Sequence, residues 1–332
     1  MAYRIAYIDR MKGLVILVVV LAHVYLLSFR MNESWVYKFC SSFEMPLFMF
    51  ISGFVAYINP TTQISQRNLY MKFARRILSY ICPAFVIGWC VVLYEVVIRE
   101  NREVGLLVPM IWGAWYLKVL ALFVCLQAIL VKCKHFYIEL GIIGVAEVFF
   151  LLGWKYSPFL YQLFCLEHCF FFYPFFMFGY YFRKYNCMES IKLNNVIFTV
   201  SLIGFFCLLG LDIENHALRF LSERILRPSF AILVISYLFV MREGQNSKFE
   251  LWLGKMGTKT LDIYVYHGLL IQYLFLEMNV AKNVACLRQM PIWVLCLAVV
   301  LTIFLSYVSI LIGFLVRKSN SLEKVVYGHF YK

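Results

Sequence analysis

Residues 10–29 read RMKGLVILVVVLAHVYLLSF, with Lys12 and His23 eleven residues apart and almost nothing but aliphatic side chains between them. That spacing is close to three helical turns, so both residues fall on one face, His23 about 16 Å beyond Lys12. The run is long enough to span a bilayer, which holds an ionisable imidazole near the midplane. A polar group at that depth costs a few kcal/mol unless it is paired or faces a wet cavity, so its default reading is functional.

Of 332 residues, 63% are hydrophobic and 15% charged. Soluble domains carry about 25% charged residues, which excludes an ordinary water-solvated fold. The apolar runs are continuous, whereas a bilayer β-barrel shows short alternating segments. The expected fold is all-α: a polytopic integral membrane protein of about ten transmembrane helices in one bundle, with residues 1–332 forming a single domain. The first run has a basic flank like a signal peptide, but no small-x-small cleavage site precedes Met31, so it is expected to remain as an anchor.

Gly, Pro, Asn and charge clusters divide the apolar sequence into spans at 12–30, 37–58, 77–98, 113–132, 138–153, 158–182, 195–211, 224–241, 259–278 and 292–316. With an even count both termini share a side. Twenty of the 31 Lys and Arg residues fall at the N-terminus, the C-terminus and the loops on that side, ten on the other, and Lys118 within a span. The positive-inside rule then puts the termini in the cytoplasm. The net charge of +13 is explained by these loops, so no nucleic-acid partner is expected; anionic lipid is the neighbour of such loops. The eleven cysteines are scattered, without a Cys-x-x-Cys pair, and predict neither a disulfide framework nor a metal site.

Several polar residues lie inside or at the ends of these runs. His267, in TLDIYVYHGLL, is eight residues from Lys259 at the cytoplasmic end of its span, about 12 Å deep. Two imidazoles at similar depth can share one cavity. Asp9 precedes Lys12 by three residues, a spacing that allows an ion pair at the cytoplasmic mouth. In FEMPLFMFISGFVAY, Pro46 is placed to kink a helix, Gly53 to let backbones approach, and Ser52 lies beside it. Glu44 reads either as a carboxylate orienting an imidazole or as an interfacial acid. Lys72, Arg75 and Arg76 precede the third span; they fix topology and touch lipid, and they are also what a phosphate-rich cosubstrate requires. Trp115 and Tyr116 open the fourth span as an aromatic belt or a cavity wall.

Taken together and in order, these pieces resemble the membrane acyltransferase-3 family of bacterial O-acyltransferases. YIDRMKGLVILVVVLAH is similar to its opening signature, FEMPLFMFISGF to its second helix, and KFARRILSYICP to its basic motif. AWYLKVLAL, FFMFGYYFRKY and LGKMGTKTLDIYVYHGLL continue the series. The opening and MPLFMFISG look most like the fucose 4-O-acetylase-like subgroup. Many relatives carry His where Glu44 stands, and the usual Arg-x-x-Arg appears as Lys72-x-x-Arg75 followed by Arg76, or with Phe73 in first position. The chain ends soon after the tenth span, so the SGNH hydrolase-like domain fused to some members is not expected.

The resemblance implies transfer of an acyl group, most simply acetyl, from cytoplasmic acyl-CoA to a hydroxyl. The acceptor would be a sugar of a surface polysaccharide, a lipid-linked glycan or its precursor. Acyl-CoA enters as a donor substrate, with no tightly bound cofactor. Lys12, Lys72, Arg75 and Arg76 would bind its phosphates or polarise its thioester, and Asp9 would position Lys12. His23 would act as general base or take the acyl group itself. His267, with Tyr264 or Tyr266, would line the cavity or stabilise the developing oxyanion. A polytopic transporter or flippase for a glycan is the alternative, its His and Glu relaying protons or holding substrate. A structural membrane subunit would leave the mid-membrane imidazole without a role.

Overall fold

The computed structural model describes residues 5–58, 66–97, 100, 114–131, 133, 135–192, 194–211, 213–245, 247–271 and 291–329. Among these there is no strand. The chain opens with α1 (Ala6–His23), which runs on as a π-helical turn, Val24–Ser28. Then come α2 (Trp35–Ser41), α3 (Glu44–Ala56), α4 (Gln66–Val97), α5 (Trp115–Leu130) and α6 (Phe136–Tyr156). After them lie α7 (Pro158–Phe164), α8 (Leu166–Lys184), α9 (Cys187–Lys192), α10 (Asn195–Gly210) and α11 (His216–Leu221). A second π-turn, Ser222–Leu226, leads into α12 (Arg227–Met241). The series closes with α13 (Lys248–Gly257), α14 (Thr260–Leu269), α15 (Pro291–Lys318) and α16 (Asn320–Tyr327).

Each of the ten predicted spans contains a helix; residues 98, 113, 132 and 272–278 of those spans lie outside the described set. Six stretches are long and apolar enough to cross a membrane: Ala6–Ser28, Trp35–Ala56, Arg67–Val97, Phe136–Tyr156, His216–Met241 and Ile292–Lys318. A bent pair, α7 with α8, makes a seventh if it is one span, and α5 and α10 are apolar but shorter. Large aliphatic side chains point outward, Val145 at 71% and Ile203 at 58% exposure, as lipid-facing positions do. Two buried hydroxyls of α15 turn back on their own helix: Ser306 donates to the Thr302 carbonyl and Ser309 to that of Leu305, each at 2.7 Å.

Two expected spans differ in detail. The second is divided at Ser42–Phe43, so Pro46 sits in the first turn of α3, where its missing N–H is no loss, rather than kinking a continuous helix. The sixth is bent by 51° between α7 and α8, where Cys165 adopts a left-handed conformation with φ of 53°.

The described chain groups into two compact units: Met1–Val55 with Phe175–Ile312, and Ala56–Pro174 with Gly313–Lys332. In the first unit, glycines permit two backbone-to-backbone contacts. A Cβ on Gly13 would meet the Leu253 carbonyl oxygen at 2.0 Å, and one on Gly257 would meet that of Asp9 at 1.7 Å, so α1 and α13 touch through their main chains. Gly53 and Gly179 do the same for α3 and α8, against the Phe176 and Phe50 carbonyls. That close approach carries the Arg183 guanidinium over the Phe54 ring, 5.2 Å from its centre.

In the second unit, α4 packs on α5 and α16, with Ile58, Phe73 and Val124 forming a buried apolar cluster. The rings of Phe123, Phe150 and Tyr173 pack together, and the Gln127 side-chain amide donates to the Ala56 carbonyl. The Arg317 guanidinium lies over the Tyr327 ring at 4.3 Å, holding the tail helix to its predecessor.

Candidate functional site

The base of α1 is anchored by charge as well as by glycine. Arg10 is 4% exposed, and its guanidinium donates to the carbonyls of Arg242 at 3.1 Å and Gln245 at 2.5 Å. It also lies 3.7 Å from the Glu250 carboxylate. Ser247 and Glu250 form a reciprocal capping box that starts α13. Burial works to raise the Glu250 pKa, but the Ser247 backbone and hydroxyl and the guanidiniums of Arg10 and Arg242 outweigh it and hold the carboxyl below its ordinary 4.5. With Arg10 turned inward, its neighbours on the helix form the expected pair: Lys12 Nζ is 3.7 Å from Asp9 Oδ1, and both side chains keep some exposure, 23% and 13%.

Three turns farther along α1, His23 ends the regular helix and the π-turn begins. Its Nδ1 is 2.8 Å from the Val19 carbonyl, which can only accept, so Nδ1 carries the proton and the lone pair is on Nε2. His267 repeats the arrangement: its Nδ1 donates to the Ile263 carbonyl at 2.8 Å. Its Nε2 is buried with no hydrogen-bond partner among the described residues. The two rings meet edge to face, centroids 5.2 Å apart and planes at 86°. Tyr264 lies beside them, its ring centre 5.7 Å from that of His267, and Tyr266 is half-buried on the same helix. Fixed tautomers and a shared level thus join two residues 244 positions apart in the chain.

Glu44 opens α3 and is 8% exposed, with Oε2 lacking a hydrogen-bond partner among the described residues. It is therefore a buried acid rather than an interfacial one. No hydrogen bond joins it to either imidazole among those residues. Ser52 donates to the Phe48 carbonyl at 2.8 Å, next to the glycine contact with α8.

The remaining sequence-predicted residues belong to the second unit. Lys72, Arg75 and Arg76 stand at i, i+3 and i+4 on α4, which puts their three cations on one face of the helix. Phe73, the other reading of the basic motif's first position, is 3% exposed in the apolar cluster. Tyr116 is buried at the start of α5, and Trp115 packs its ring 4.2 Å from that of His168 and 5.6 Å from Phe172.

Two groups escaped sequence reading. In the sequence Arg10 is one basic residue of the N-terminal flank; its burial against Glu250 is a tertiary fact. Glu147, in the middle of α6, has both carboxylate oxygens buried without a hydrogen-bond partner among the described residues. An acid inside GIIGVAEVFFLL is a legible anomaly, since a membrane carboxylate is rarely idle.

Apolar helices of spanning length thus hold an imidazole pair, with an ion pair three turns earlier on the first of them. A family model described as an acyltransferase domain matches residues 5–311, and the chain belongs to the acyltransferase-3 family. It is a multi-pass membrane acyltransferase. No curated protein and no solved structure gives a significant match.

Proposed function

We propose that the chain moves an acetyl group from cytoplasmic acetyl-CoA to a hydroxyl of a sugar, in a surface polysaccharide, a lipid-linked glycan or its precursor, at the bacterial inner membrane. What supports this most is the His23–His267 pair: two imidazoles in edge-to-face contact, each with Nδ1 tied to backbone, with Lys12 three turns earlier on the same helix as His23.

In this reading His23 Nε2 takes the proton of the acceptor hydroxyl as its oxygen attacks the thioester carbonyl. A C–O bond forms, the C–S bond breaks, and the proton passes from the imidazolium to the departing CoA thiolate. His267 offers an acceptor nitrogen, not a donor, while its Nδ1 is committed to Ile263. Its part is to accept a hydrogen bond that orients the sugar, and the developing oxyanion falls to a hydroxyl of Tyr264 or Tyr266. Two sets of cations are candidates for the phosphates of the donor, each within its own unit: Lys12, oriented by Asp9, and Lys72, Arg75 and Arg76 on α4.

The test uses the purified full-length protein in nanodiscs with acetyl-CoA and candidate sugars. CoA release that requires both an acceptor sugar and His23 supports the reaction. Sugar or lipid-linked sugar that crosses the bilayer without CoA release makes the chain a transporter instead.

A further inference from the structure

The first unit holds a second group of buried polar atoms that the reaction above does not use. At the start of α12, the Arg227 side chain is 13% exposed. Its Nε is buried with no hydrogen-bond partner among the described residues. Ser222, 2% exposed, likewise keeps a hydroxyl without a partner among them. The two residues are joined by the π-turn, in which the Arg227 backbone N–H bonds the Ser222 carbonyl, so they lie one above the other. Glu223 explains little of this guanidinium. Its carboxylate is 48% exposed and approaches only Nη1, at 3.9 Å, beyond hydrogen-bond distance. The opposite edge, Nε with Nη2, is the one that takes a carboxylate or phosphate in bidentate fashion.

The register of α12 against α1 sets the level of this group. The two helices pack on each other, and Arg10 is hydrogen-bonded to the Arg242 carbonyl just past the end of α12. From that tie, His23 is thirteen residues along α1 and Arg227 fifteen residues back along α12. At the helical rise these are roughly 20 and 22 Å, so the Arg227 backbone stands within about one turn of the level of the His23 backbone. A cation kept inside a membrane at the depth of a reacting centre faces a ligand or a wet path more often than lipid.

We propose that Arg227, with the Ser222 hydroxyl, is an anion-reading subsite for the acceptor, and that the acceptor is therefore an acidic sugar or a sugar bearing a phosphate. The inference rests on the acyl-transfer reading for the identity of the ligand, but the binding itself is measurable without turnover.

Binding of glucuronate, glucose 1-phosphate and glucose to the full chain in nanodiscs is measured by calorimetry, for wild type, Arg227→Gln, Arg227→Lys and Glu223→Gln. Wild type is expected to prefer one anionic sugar over glucose by at least about tenfold, glucuronate indicating a carboxylate and glucose 1-phosphate a phosphate. Arg227→Gln erases the preference, and Arg227→Lys retains only part of it because an ammonium cannot bind in bidentate fashion. Glu223→Gln strengthens anion binding by removing a competing carboxylate. Equal binding of the three sugars by wild type overturns the proposal. So does a preference that survives Arg227→Gln, or weakened anion binding in Glu223→Gln. If Arg227→Gln does not fold, Arg227→Lys and Glu223→Gln decide. CoA release is read separately: an Arg227-dependent preference without release upholds the subsite and overturns the reaction.

Discussion

His23 and His267 face each other edge to face at 5.2 Å, each with Nδ1 tied to the carbonyl four residues back and Nε2 left as an acceptor. The hydrogen bonds do for both rings what a carboxylate does in a soluble triad: they fix the tautomer and the orientation, using backbone alone.

If His23 is the base, His23→Gln lowers the rate of acetyl transfer by about 10²–10⁴-fold while leaving donor binding intact. His267→Gln acts differently, raising the KM for the sugar more than it lowers kcat. Steady-state CoA release against sugar concentration separates the two; equal kcat losses in both variants would make the rings interchangeable and the assigned roles wrong.

Donor binding is expected to follow charge. Lys12→Gln, Arg75→Gln and Arg76→Gln, each made singly, raise the KM for acetyl-CoA by roughly tenfold, the loss of one good charge-assisted contact. The effect shrinks when coenzyme A is replaced by a short acyl thioester without phosphates. A KM for the truncated thioester that rises as much as that for acetyl-CoA counts against phosphate binding.

Gly257 is the tightest point in the first unit, since a Cβ there would stand 1.7 Å from the Asp9 carbonyl and 3.0 Å from the Gly13 amide nitrogen. Neither atom belongs to a flexible side chain, so the helices must separate. Gly257→Ala is expected to cost about 1–3 kcal/mol or more and to loosen the Asp9–Lys12 end of α1. Gly144→Ala, where a Cβ meets nothing within 4 Å, is the matched control. Thermal unfolding in one detergent compares them.

Glu250 makes the same junction sensitive to acid. Its folded pKa lies below the ordinary 4.5, so its contribution is complete above that value and is lost as pH falls through the lower, folded one. Thermal stability of wild type should therefore decline below about pH 4.5 more steeply than that of Glu250→Gln, which lacks the titrating group. Parallel curves for the two proteins would show that the carboxylate is not what couples α13 to Arg10.

Much of this protein is visible in its sequence because a bilayer leaves few choices. Every long apolar run must satisfy its backbone internally, so each predicted span contains a helix. An imidazole inside such a run marks itself. The Asp9–Lys12 pair was legible for the same reason: helical spacing alone brings residues three apart together. The breaks were less so. Pro46 looks like a mid-span kink until the turn at Ser42–Phe43 places it in a first turn, and the bend at Cys165 has no proline to announce it.

The apolar runs, their helical state, the positions of His23 and His267 along their helices and the face shared by Lys72, Arg75 and Arg76 were determined by local rules of rise and periodicity. Which helices touch was not. That Arg10 turns inward to Glu250, that Gly13 and Gly257 bring α1 and α13 into main-chain contact, and that His267 rather than Glu44 meets His23 are decided by the tertiary structure. The physical reason is that hydropathy fixes how deep a residue lies, whereas rotation about the helix axis and the choice of neighbour depend on which surfaces fit closely enough for backbone to meet backbone.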